Sequence, residues 1–371
     1  MSLAELSALN TQVLLGAFIL SFLFGLILQK THFCTMGAIG DALISGDLTR
    51  LRQWALALGV AMVGFACLVY TGQIDAGKTL YASHRWLWLS ALTGGLMFGF
   101  GMVLASGCGS KTLVRIGSGN LKSLVVMLVM GIAAFATLKG VTAVLRVATV
   151  DQVAVDFDHL ATLPYFWSRI TGMSMPSAVL LCGCALGLGP LAWALSDRTF
   201  VTRENLLAGL GVGGIVVAVW WLSGHVGHVL EHPQTLEDVI IATNSGRIES
   251  LSFVAPMAYA LDWLMFFSDA SKVLTLGVVS VAGVILGAAF QALRCRTFRW
   301  EGFGGAHDLA NHLIGAVLMG VGGVTAMGCT IGQGLSGLST LSLTSLVALA
   351  AIAAGAVAAF KFQIWRLEHA S

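Results

Sequence analysis

Charged side chains are scarce in this sequence: 20 Lys and Arg and 18 Asp and Glu among 371 residues, 10% of the chain, against 57% hydrophobic. An ordinary soluble domain carries roughly 25% charged residues. So much apolar surface cannot be hidden in one water-soluble core at this length. The net charge of +2 comes with no basic stretch that would hold nucleic acid. The first ten residues lack the basic n-region of a signal peptide, so the first apolar run is expected to persist as a span. Seven cysteines, an odd number in apolar surroundings, exclude a disulfide framework and leave free thiols. No nucleophile elbow, HExxH or paired-carboxylate motif stands out, which argues against an enzyme.

What the chain has instead is apolar windows of the length that crosses about 30 Å of hydrocarbon. They fall at 12–29, 53–72, 86–105, 121–140, 177–195, 204–223, 273–291, 309–326 and 342–362. The fold expected is all-α, a polytopic membrane protein of about nine spans with short re-entrant helices, one transport domain over 1–371. Residues 251–268 contain Pro256 and Asp262 and read as a helix that dips in or lies at the interface. Residues 146–170 mix Asp151, Asp156 and Asp158 with Tyr165, Phe166 and Trp167, an interfacial connector with aromatic anchors. Basic residues follow the first, fifth, seventh and last spans (Arg50, Arg52, Arg198, Arg203, Arg294, Arg296, Lys361, Arg366), whereas 224–250 is acidic. The positive-inside rule then expects a periplasmic N-terminus and a cytoplasmic C-terminus.

An internal echo organises the chain. Setting Cys108 on Cys329 also matches Gly99 with Gly320, Gly101 with Gly322, Val103 with Val324, Ala105 with Ala326 and Gly107 with Gly328. LKSL at 121–124 echoes LTSL at 343–346, and FGLILQKTHFCT at 24–35 echoes LGAAFQALRCRT at 286–297. Residues 1–145 and 251–371 are therefore expected to be inverted halves, with 146–250 a connector holding two spans.

The repeated loops are the candidate site. In SGCGSKTLVRIGSGN (106–120), Gly107 and Gly109 break the helix and bare backbone N–H groups, which a bilayer tolerates only where they are buried or line a cavity. A helix restarting near Asn120 would turn its positive end to an anion, with Lys111, Thr112 and Arg115 nearby. The second loop, MGCTIGQGLSGLST (327–340), offers Gly328, Thr330 and Gln333 but no cation. GSKT is not a P-loop: Ser110 precedes Lys111, Ala105 stands at the first glycine position, and no strand leads in. Cys34, Cys108 and Cys329 each end an apolar span, and a thiol, a weak donor and soft acceptor, suits a polarisable sulfur atom better than a hard oxyanion.

The other candidates are weaker. Cys67, and Cys182 with Cys184 on opposite sides of a helix, read as packing. Cys295, between Arg294 and Arg296, is a weaker candidate for a redox or sulfur-handling role. His225, His228, Glu231 and His232 have a spacing seen in metal sites, but solvated histidines on a loop account for it, and no metal or cofactor is assigned. Asp41, Asp262 and Asp308 are candidate proton carriers.

QKTHFCTMG, LASGCGSKTLVRIGSG and AMGCTIGQGL together resemble the three motifs of the YeeE/YedE family of sulfur-transport membrane proteins. The resemblance runs over nearly the whole chain. It implies a bacterial inner-membrane protein that takes up thiosulfate, with nine spans plus short inserted helices. The motif cysteines, here Cys34, Cys108 and Cys329, would line a narrow central path and relay the ion as ligands. It also implies a TusA-like cytoplasmic sulfurtransferase as partner. A membrane-embedded sulfurtransferase, or a transporter of another sulfur or selenium species, remains the alternative. Cys295 and the loop of His225, His228 and His232 lie outside the motifs.

Overall fold

The computed structural model describes residues 2–369. The helices are α1 (Leu3–Thr31), α2 (Thr35–Ile44), α3 (Thr49–Tyr70), α4 (Trp88–Leu104), α5 (Gly109–Gly117), α6 (Leu121–Lys139) and α7 (Val141–Ala148). They continue as α8 (Leu163–Thr171), α9 (Met175–Leu195), α10 (Arg203–Trp221), α11 (Val254–Met265), α12 (Leu276–Arg294), α13 (Ala306–Thr325) and α14 (Leu343–His369). Two π-helical turns, Leu222–Val226 and Gly332–Gly337, interrupt the pattern. The only strands among the described residues are two short antiparallel pairs, β1 (Arg85–Trp86) with β2 (Val155–Asp156) and β3 (His228–Val229) with β4 (Val239–Ile240).

This is an all-α polytopic membrane protein. Among the described residues, eight helical segments are long and apolar enough to cross a bilayer. The ninth expected span, 309–326, falls on α13, whose first turns carry Asp308, Asn311 and His312 and which packs between α4 and α6. Large apolar side chains such as Leu15, Ile19, Ile132, Leu188, Leu286 and Leu293 face outward from the spans, the inside-out distribution that lipid permits. Segment 251–268 is the 12-residue α11, too short to span and buried along Val254, Pro256, Met257 and Ala258 rather than lying on an interface. Cys67 is exposed on α3, so it faces outward and does not pack in the core; Cys182 packs against the core from α9.

The loops sort onto two faces. Residues 71–87, 140–174 and 227–253 are tied together by the pairing of β1 with β2, the Thr79–Ile248 bridge, and Leu163 N–H donating to the Leu341 carbonyl at 3.0 Å. On the same face Lys78 pairs with Asp238, which also meets His228 Nε2 at 2.7 Å. The turns at the opposite face are short and basic; Asn120 bridges Glu301, and Arg52 pairs with Asp197 at 3.7 Å.

Small residues let backbones touch between spans, the usual way helices associate when lipid removes the hydrophobic driving force. Helices α4 and α13 cross antiparallel. A methyl at Gly94 would sit 2.7 Å from the Gly322 carbonyl oxygen, and one at Gly101 would sit 2.7 Å from that of Gly315. In the Cys108/Cys329 register Gly94 corresponds to Gly315 and Gly101 to Gly322, so the contact is reciprocal. Likewise Gly99 of α4 abuts Ile352 of α14, and its counterpart Gly320 of α13 abuts Met130 of α6.

The partners of whole elements exchange in the same manner. α1 packs on α12 as α10 packs on α3; α4 packs on α14 as α13 packs on α6. α2 touches α3 and α14 as α11 touches α12 and α6, and α5 meets α12 as the Gly332–Gly337 turn meets α3. The echo between 24–35 and 286–297 does not fit this exchange. α1 and α12 are neighbours that both run toward the basic face, so they cannot be inverted counterparts.

Candidate functional site

Three helix starts converge. α1 ends at His32, whose φ of 53° turns the chain sharply, and Cys34 follows as the N-cap of α2. The Gly37 N–H donates to Cys34 Sγ at 3.4 Å, a cap made by sulfur in place of the usual oxygen. α4 ends at Leu104, Ser106 turns with φ 57°, and Cys108 caps α5. Helix therefore restarts first at Gly109, ahead of the expected start near Asn120, and the bared N–H groups and positive helix end of α5 lie at the thiol itself. Asn120 caps the next helix, its Oδ1 accepting from Ser123 N–H at 2.8 Å. In the second loop Met327 repeats the Ser106 turn with φ 59°, and Cys329 Sγ accepts from Gly332 N–H at 3.4 Å.

The thiols of Cys34 and Cys108 lie against each other, and Cys329 lies near Cys108. All three are buried, with 8%, 1% and 0% of their surface exposed. Cys108 Sγ also sits 3.3 Å from Ser110 Oγ. Thr330 Oγ1 points toward Cys108 but reaches hydrogen-bond geometry with no described protein atom, an orphaned hydroxyl in a fully buried residue. Such a group costs roughly 1–3 kcal/mol unless something satisfies it.

The supporting residues divide by chemistry. Lys111 and Arg115 fold back along Gly107: a methyl there would lie 3.2 Å from Lys111 Cγ and 3.9 Å from an Arg115 guanidinium nitrogen. Arg50, paired with Asp41 at 3.1 Å, reaches α2 at Gly37. Cations thus gather on the Cys34 and Cys108 side. Thr112 is spent inside α5, donating to the Cys108 carbonyl at 3.0 Å, and Gly109 gives room to Phe253 and Met257 of the α11 segment. Around Cys329 everything is neutral. Gln333 Nε2 donates to the Ala326 carbonyl at 2.5 Å, and its Oε1 accepts from Ser345 at 2.6 Å. Gly328 lies tight against the Gln333 side chain, where a methyl would be 3.1 Å from Cγ.

Two contributors carry no sequence signal. Tyr81, from the 71–87 loop, donates its hydroxyl to the Gly332 carbonyl at 2.6 Å and pins the π turn. Phe253, at the start of α11, brings its backbone amide to Cys329 as Cys34, at the start of α2, is brought to Cys108. Other expected candidates are occupied elsewhere. Asp262 pairs with Lys272 at 2.6 Å and Asp308 with Lys122 at 2.8 Å. His225 stacks on Trp221, and His232 accepts from its own turn. No three His, Cys, Asp or Glu among the described residues are grouped to hold a metal. Cys295 is exposed at the end of α12, taking a 3.2 Å bond from Gln291 Nε2.

Comparison with known proteins places these features. Residues 30–358 match the family model described as sulphur transport. The chain is 26% identical over 340 residues to the thiosulfate transporter TsuA of Escherichia coli K12, covering 87% of each chain. It is 26% identical over 332 residues to the thiosulfate transporter TsuA of Spirochaeta thermophila, covering 86% of this chain and 89% of that one. A 112-residue stretch is 30% identical to the probable transporter YedE of E. coli, covering 30% of this chain and 26% of YedE.

Proposed function

Because the chain belongs to the sulphur-transport family, we propose that it carries thiosulfate across a bacterial inner membrane along a path where Cys34, Cys108 and Cys329 relay the ion. Its relatives are transporters, and the chain is a transporter rather than an enzyme. The observation that carries the relay is the convergence of three buried thiols, two of them in matching loops, beside the unpartnered Thr330 hydroxyl. Thiosulfate has a soft terminal sulfur and a hard oxygen end. A thiol S–H donates weakly to the sulfur, while N–H groups at the start of α5 and around Cys329 take the oxygens. Each contact is weak, so the ion is held at no one thiol and passes to the next without a covalent bond. Lys111 and Arg115 raise the local anion concentration on the Cys34 and Cys108 side.

The membrane frame is an inverted repeat in this proposal, α1–α6 against α10–α14, with α7–α9 joining them. The reciprocal glycine contacts and the exchange of helix partners support it. The second half then begins at α10 rather than at residue 251, and Phe253 stands where the first half has Cys34. The basic face, by the positive-inside rule, is cytoplasmic, and it is where a TusA-like sulfurtransferase would collect the ion. Proteoliposomes containing the chain should accumulate labelled thiosulfate above protein-free vesicles. Equal accumulation in both, or a persulfide formed on a cysteine with turnover in detergent, would defeat the relay.

A further inference from the structure

On the loop-rich face a cavity of about 360 Å³ runs down to Met327 and Gly328, one residue short of Cys329. At roughly 30 Å³ per water it holds on the order of ten waters, ample for a small oxyanion. Its walls are mostly apolar, with Asn244, Ser250, Ser252 and Ser280 as polar points and the mutually paired Arg146 and Asp151 also on the wall. The Ser280 hydroxyl is buried without a partner, a donor left free on the wall.

One carboxylate in that wall is anomalous. Glu249 lines the cavity and has no cationic partner among the described residues. Its contacts are with Ser245, whose N–H donates to Oε1 at 3.1 Å and whose hydroxyl also donates there. Every charged neighbour is committed elsewhere. Arg146 pairs with Asp151 at 3.1 Å, and Asp151 also takes Ser90 Oγ at 2.6 Å. Arg247 donates to the Ala82 carbonyl at 2.6 Å, and beyond Tyr259 on α11, Asp262 is held by Lys272. Tyr81 and Tyr259 complete the titratable groups around it and are neutral at ordinary pH. An ionised Glu249 would repel any anion entering this chamber, and low-dielectric walls strengthen that repulsion.

We propose that the cavity is the antechamber for the transported oxyanion and that Glu249 gates it. A sulfur oxyanion occupies the chamber only when the Glu249 carboxyl is protonated, so one proton is taken up from solution onto Glu249 with each anion bound. The inference rests on the transport reading above. Burial pushes the Glu249 carboxyl up from its ordinary range, the Ser245 bonds opposing only in part. The sign follows: anion affinity is greatest at low pH and is lost as pH rises through the raised pKa, and by linkage the anion raises it further.

The test uses the full chain in detergent with thiosulfate as probe, measuring binding by calorimetry and proton uptake with a pH indicator. At pH values above the carboxyl pKa, wild-type protein should take up one proton per anion, with affinity falling about tenfold per pH unit; below it, binding should be tight and proton uptake should vanish. Glu249→Gln keeps an acceptor for Ser245 and should bind with no proton uptake and no pH slope. A wild type that binds without taking up a proton, or a Gln variant that keeps the wild-type slope, overturns the gate. A second arm needs no variant and no uptake. A carbodiimide should label protonated Glu249, mapped by mass spectrometry, and thiosulfate or sulfate should raise the pH at which labelling falls away. A raised midpoint with sulfate in a protein that does not transport thiosulfate defeats the transport reading and supports the gate. A midpoint moved by neither anion overturns the gate.

Discussion

After Cys108 the chain re-enters as a nine-residue α-helix with Lys111 and Arg115 in its turns; after Cys329, Gly332 and Ser336 occupy those two positions and the segment winds as a π-helix. The thiol, the left-handed residue two before it, and the glycine-bearing span that leads in are common to both. The finish differs. Cys108 lies among cations and a second thiol; Cys329 lies among amides and hydroxyls held by Gln333, Ser345 and Tyr81. Under the proposed relay, the difference lets one plan serve two tasks, concentrating an anion at one loop and letting it go by at the other, where a charge at both loops would trap it.

The comparison predicts matched effects where the frame is shared and unmatched effects where it is not. The largest effect is on the frame. A methyl at Gly99 would lie 2.0 Å from the Ile352 carbonyl oxygen and one at Gly320 would lie 2.5 Å from that of Met130. Gly99→Ala and Gly320→Ala should each cost at least about 1–3 kcal/mol, read as similar drops in the detergent melting temperature. A large loss in one and none in the other would break the equivalence. Next come the thiols. Cys108→Ala should lower thiosulfate uptake by about tenfold or more, the equivalent of roughly 1.4 kcal/mol. Cys329→Ala should lower it less, because Cys108 neighbours both other thiols and Cys329 neighbours one; uptake like wild type in both would end the relay. The smallest effect is electrostatic. Lys111→Gly, which copies the second loop, should raise the apparent KM several-fold at low salt and less at high salt, with maximal rate little changed.

The spans and both Gly-Cys loops were legible in the sequence because apolar length and backbone-breaking glycines are local signals. The start of α5 was not. Asn120 is a good cap and does cap a helix, but α5 begins eleven residues earlier behind a cysteine that makes no side-chain cap bond. The adjacency of Cys34 and Cys108 is a tertiary fact with no spacing rule behind it. The echo between 24–35 and 286–297 joins two helices that pack on each other, and local similarity cannot tell neighbour from counterpart. Glu249 went unremarked because an acidic residue in an acidic loop looks ordinary until its missing partner is seen. By contrast Asp41, Asp262 and Asp308, which drew attention in apolar stretches, all proved to be ion-paired.

The crossing of α4 and α13 has a mechanical consequence. Where Gly94 meets Gly322 and Gly101 meets Gly315, carbonyl oxygens rest against bare α-carbons with no side chain between them to swing aside. At the Gly101–Gly315 contact a slide of one residue would drive a carbonyl into a neighbour that carries a side chain, Phe100 or Met102 on one helix and Ile314 or Ala316 on the other, so the joint resembles a keyed shaft with a single seat. In the proposed transport, the parts expected to open and shut are then small ones mounted on that shaft, the capped ends and loop side chains.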